Sequence, residues 1–132
     1  LVASETEDPA GPAVFEQITL TISGGPRIND QRPPDSRIEV MRDGRITRDG
    51  KQGTLDQASL DRLNSLINTM NFFGAQANFV GNFGADDPVF YYSLTVRASD
   101  GRERTINAHE GLMPVEFKNI IGEVLVLSAR AQ

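Results

Sequence analysis

Residues 89–108 read V-F-Y-Y-S-L-T-V-R-A-S-D-G-R-E-R-T-I-N-A, and this stretch decides the fold. From Val89 to Ser99, Phe90, Tyr92, Leu94 and Val96 alternate with Tyr91, Ser93, Thr95 and Arg97. A period of two sends one set of side chains into a core and the other towards solvent. Asp100-Gly101 then gives a hairpin signal, and Arg102–Ala108 returns as a strand with Arg104 and Ile106 on one face and Glu103, Thr105 and Asn107 on the other. Two such runs joined by Asp-Gly predict an antiparallel pair with one covered face.

The rest of the chain extends this pattern in both directions. Phe15–Ser23 puts Ile18, Leu20 and Ile22 on one side and Thr19 and Thr21 on the other. Ser36–Arg42 reads as a strand with Ile38 and Val40 inward; Asp43-Gly44 supplies the positive-φ pair of a tight hairpin, and Arg45–Arg48 returns. Leu60, Leu63, Leu66, Ile67 and Met70 recur at helical spacing, with Asp56 as N-cap and Leu55 and Leu60 bracketing it as a hydrophobic staple. A second helix is predicted with Pro114 in its first turn and Phe117, Ile120, Ile121, Val124, Leu125 and Leu127 as a broad apolar face, weakened by Gly122. The order predicts an α+β fold: a single antiparallel sheet of about five strands with two helices packed on one face. We expect one domain over 14–132, preceded by a flexible tail over 1–13, where acids, Pro and small residues leave little to bury.

Composition narrows the function. The chain has 132 residues, net charge −5 and thirteen Lys and Arg scattered singly, so no basic stripe is available for a phosphate backbone and nucleic acid is excluded as a partner. No apolar run reaches the roughly 20 residues of a membrane helix, so the chain itself is not expected to span a membrane. Without cysteine there are no disulfides and no thiolate chemistry. The chain opens on Leu1, from which we expect removal of a leader segment and an exported or organelle-lumen location.

No catalytic set emerges. His109 stands beside Glu110 with no nucleophile evident near it, and one histidine without cysteine makes a poor zinc site. Asp86-Asp87 before Pro88 reads as a turn, and Gly24-Gly25 lacks the helix and the Lys of a phosphate loop. We therefore expect no enzyme activity, metal or cofactor. What stands out is a pair of long irregular connections, Gly24–Pro34 and Ala75–Pro88; long loops on a sheet usually bind something. The candidate partner-binding residues are Arg27, Ile28, Asn29, Asp30 and Arg32 in the first, and Asn78, Phe79, Asn82 and Phe83 in the second. Phe79, Val80 and Phe83 fit either lids on the core or apolar anchors for a partner.

Taken in order, I-S-G-G at 22–25, I-E-V-M-R-D-G-R-I at 38–46, G-T-L-D-Q-A-S-L-D-R-L at 53–63, Asp86-Asp87 before Y-Y-S-L-T-V, and the Met113-Pro114 helix resemble the emfourin family. These are small protein inhibitors of thermolysin-like zinc metalloproteases. The likeness spans about 15–127. It implies a proteinaceous inhibitor that blocks a protease cleft through exposed loops without cofactor or covalent bond, with Asp30 approaching the enzyme's zinc. A second reading fits the same features: an accessory subunit, lumenal or periplasmic, that docks on and stabilises a larger protein complex, membrane-bound or not.

Overall fold

A computed structural model describes residues 14–25, 35–82 and 89–132. The predicted tail over 1–13, the candidates Arg27, Ile28, Asn29, Asp30, Arg32 and Phe83, and the Asp86-Asp87 turn lie outside the described residues. The described chain runs β1 (Phe15–Gly24), β2 (Ser36–Met41), β3 (Arg45–Arg48), β4 (Lys51–Thr54), α1 (Gln57–Met70), a 3-10 turn (Phe72–Gly74), β5 (Asn78–Phe79), β6 (Phe90–Ala98), β7 (Glu103–His109), α2 (Val115–Leu127) and a closing 3-10 turn (Ser128–Arg130).

The sheet corrects the sequence reading. Seven described strands, not about five, form it in the order β4-β3-β2-β1-β6-β7-β5, and it is mixed: β5 runs parallel to β7 while every other pair is antiparallel. Both extra strands lie at the edges. β4 carries Lys51, Gln52, Gly53 and Thr54, with no apolar alternation to announce it. β5 has two residues and is held by main-chain pairing, with the amide of Asn107 donating to the carbonyl of Ala77 at 2.8 Å.

The turns also differ from expectation. The positive-φ pair lies at Asp49-Gly50 (φ 50° and 89°), the two-residue loop that joins β3 to β4. At Asp43-Gly44 and Asp100-Gly101 only the glycine has positive φ (98° and 96°), and the glycine amide donates back to Met41 or Ala98 at 3.0 Å. Both are type I-like turns closed by a left-handed glycine. In each, the Asp carboxylate accepts from the amide and the Nε of the arginine two residues on, Arg45 or Arg102.

One face of the sheet carries the core. Ile18, Leu20, Ile38, Val40, Ile46, Leu94, Val96 and Ile106 are buried with Leu60, Leu63 and Ile67 of α1 and Phe117, Ile120, Ile121 and Val124 of α2 in one cluster. α1 begins where Asp56 accepts from the amide of Ser59 at 3.0 Å, and stops at Asn71, whose left-handed φ of 57° returns its amide to the last carbonyls. Pro114 occupies the N-cap position of α2 instead of its first turn, and Leu125 is partly exposed. The chain end closes one edge: the amide of Gln132 donates to Gln52, and Gly53 leaves room for the carbonyl of Arg130. No described helix is long and apolar enough to cross a membrane.

Candidate functional site at the loop-bearing end of the sheet

Strand direction decides what meets at each end of the sheet. β1 ends at Gly24 opposite the start of β6 at Phe90, while β2 starts at Ser36 opposite Ile22. β7 ends at His109 opposite Tyr91, and β5, parallel to β7, ends at Phe79 opposite Ala108. Gly25 and Asp35, at the two ends of the first connection, Val89, where the second rejoins the sheet, and Asn82, within the second, therefore gather at one end, while the second begins at Ala75, beside Arg104 near the start of β7.

That end is built from main-chain contacts. The amide of Gly25 donates to the carbonyl of Val89 at 3.1 Å. Gly24 and Gly25 hold φ of 78° and 92°, and a Cβ would stand 2.6 Å from the Val89 carbonyl at Gly24 and 2.4 Å from the Phe90 ring at Gly25. Both positions thus require glycine, for backbone conformation and for close approach. Beside them, Phe90 and Glu110 are tied twice: the Glu110 amide donates to the Phe90 carbonyl at 2.8 Å, and the Phe90 amide to Glu110 Oε1 at 3.3 Å. Burial, with the Glu110 carboxylate adding to it, pushes the Tyr92 hydroxyl above its ordinary pKa.

On the uncovered face, the Tyr91 ring stands edge-on to His109 with centroids 5.2 Å apart. Ser93 Oγ donates to Asn107 Oδ1 at 2.8 Å and Asn107 Nδ2 to Asn78 Oδ1 at 3.2 Å, a polar row that runs from β6 across β7 to β5. The amide of Gly81 donates to His109 Nδ1 at 3.0 Å, which seats the segment after β5 against the end of β7.

The structure thus brings Asn78, Phe79 and Asn82 to this end. Asn78 and Asn82 are exposed, whereas Phe79 is half-buried and packs on the core cluster. His109 is the last residue of β7. Its contact with Gly81, 28 residues away, was not legible, because neither periodicity nor a local motif encodes a pairing at that separation. Tyr91 likewise gave only its face, not its neighbour.

Lower on the same face lie two adjoining depressions of about 300 and 330 Å³ that share Gln17. Threonines from β1 and β6 meet arginines there, and the arginines carry carboxylate partners, Arg37 with Glu39 at 2.7 Å and Arg97 with Glu16 at 3.5 Å. Among the described residues no group of three or more His, Asp or Glu side chains is placed to hold a metal ion.

A scan against known protein families and searches of curated proteins and of solved structures give no match to this chain. The likeness to emfourins accordingly rests on the quoted motifs alone.

Proposed function

We propose that this chain is a non-catalytic protein-binding domain that inhibits a thermolysin-like metalloprotease through the loop-bearing end of its sheet. One observation carries the reading: the first long connection leaves the sheet, and the second returns to it, at the end closed by the Gly25–Val89 contact, the end towards which β5 also leads, into the exposed Asn82. A connection anchored at both ends to a sheet loses little conformational entropy on docking, so its contacts translate efficiently into affinity. The metalloprotease as target comes from the motif resemblance. Arg27, Ile28, Asn29, Asp30, Arg32 and Phe83 belong to the proposal through the sequence alone.

The test is hydrolysis of a fluorogenic peptide by thermolysin with increasing amounts of this protein. Dose-dependent inhibition, weakened when Asn78 and Asn82 are both changed to Ala, supports the reading. Undiminished hydrolysis at protein in large excess refutes inhibition of this enzyme class, and recovery of the chain in a large membrane complex from its native source favours the accessory-subunit reading.

A further inference from the structure

We infer that Val80 is the apolar anchor of the loop-bearing end, the side chain that the protease takes into an apolar pocket of its cleft, and so the residue that sets which enzyme fits. The inference rests on the reading of this end as a protease-binding surface. Asn78, Phe79 and Val80 continue the alternation of β5. Asn78 is exposed, with its Oδ1 accepting from Asn107 on the uncovered face, whereas Phe79 packs on the core cluster. A period of two turns the next side chain away from the core again. Val80 accordingly stands 47% exposed and belongs neither to the buried cluster nor to the residues packed on it.

Single exposed valines are ordinary on a protein surface; this one differs because the chain is fixed on both sides of it. Before it, β5 pairs with β7, and the amide of Asn107 donates to the Ala77 carbonyl at 2.8 Å. After it, the amide of Gly81 donates to His109 Nδ1 at 3.0 Å. An apolar side chain held out in water regains its hydration cost only when a partner covers it. The backbone here is already ordered and a β-branched side chain has few rotamers to lose, so covering Val80 converts efficiently into affinity. Its neighbours specify the pocket. Leu112, 44% exposed, is tied to the same residue, its amide donating to the His109 carbonyl at 3.0 Å. Asn78 and Asn82 lie two residues to either side of Val80, exposed and uncharged. An apolar centre with a neutral polar rim fits an apolar pocket edged by hydrogen-bonding groups.

The experiment is inhibition of thermolysin, assayed on a fluorogenic peptide, by the wild-type protein and by Val80→Ser, Val80→Ile and Val126→Ser. Val126, 69% exposed in the last turn of α2, is the control for loss of any surface valine; the chain after it runs to the β4 edge, where Arg130 meets Gly53. Val80→Ser should raise the inhibition constant roughly ten- to a hundredfold, the worth of burying one valine side chain. Val80→Ile should retain inhibition, Val126→Ser should leave it unchanged, and the urea midpoint of Val80→Ser should match that of the wild type. Inhibition by the wild type with an unchanged constant in Val80→Ser overturns the inference and leaves the reading of this end standing. Equal weakening in Val126→Ser, or a lowered urea midpoint in Val80→Ser, also overturns it by making the effect general or structural. Absence of inhibition by the wild type overturns both the reading and the inference.

Discussion

The amide of Gly25 donates to the carbonyl of Val89 across 3.1 Å, and this contact joins the exit of β1 to the entry of β6 at the end where the first long connection begins and the second finishes. The approach is possible because neither Gly24 nor Gly25 carries a Cβ. Gly24→Ala places a methyl 2.6 Å from a backbone oxygen in a left-handed conformation. A non-glycine residue there costs on the order of 1–2 kcal/mol before the clash is counted. Urea unfolding should register a loss of more than about 2 kcal/mol.

Gly53 and Gly122 make a contrasting pair. A Cβ on Gly53 would lie 2.1 Å from the Arg130 carbonyl, so Gly53→Ala should displace the chain end from β4, seen as faster exchange of the Gln132 amide together with lower stability. A Cβ on Gly122, inside α2, meets nothing within 4 Å. Gly122→Ala should therefore stabilise the protein by about 0.5–1 kcal/mol through helix propensity, read as a higher denaturation midpoint.

Phe117 is fully buried where α2 meets the sheet. Phe117→Ala should cost about 3–5 kcal/mol, the range for deleting a buried aromatic ring. Equilibrium unfolding monitored by circular dichroism measures it.

Acid should act through four surface aspartates. Hydrogen bonds from Arg45 to Asp43, from Arg37 and Ser36 to Asp49, from Ser59 to Asp56 and from Arg102 to Asp100 hold these carboxyls below their ordinary value of 3.8. A carboxyl depressed in the folded state contributes stability that is present above the unfolded value and is lost as pH falls through the folded one. Stability should thus decline below about pH 4, and Asp49→Asn should flatten that decline while lowering stability at neutral pH. Denaturation midpoints of both proteins across this range decide it.

The legible part of the fold is the part that buries side chains. Ile18, Leu20, Leu94 and Val96 alternate because one face of their strands meets two helices, and Leu60, Leu63 and Ile67 recur at helical spacing for the same reason. β4 buries almost no side chain, and β5 has two residues of which only Phe79 packs on the core, too few for a period, so periodicity is silent about them. Of the three Asp-Gly pairs, the two read from the sequence as hairpin signals differ from the third in the partners of the aspartate. Arg45 and Arg102 engage Asp43 and Asp100 from two residues on, whereas Asp49 is engaged by Ser36 and Arg37 of β2. The two long connections were visible as breaks in the pattern. That the first leaves and the second returns at one end required the strand directions, and the contact between His109 and Gly81 required the parallel placement of β5.

The most direct measurement is hydrogen exchange of this protein alone and with thermolysin, read residue by residue. Added protection is expected at Ser23–Gly25, at Asn78–Asn82 and at the start of β6, with α1 and the outer side of α2 unchanged. Protection confined to the helices or to the depressions around Gln17, or no change with the protease in excess, would contradict binding through the loop-bearing end.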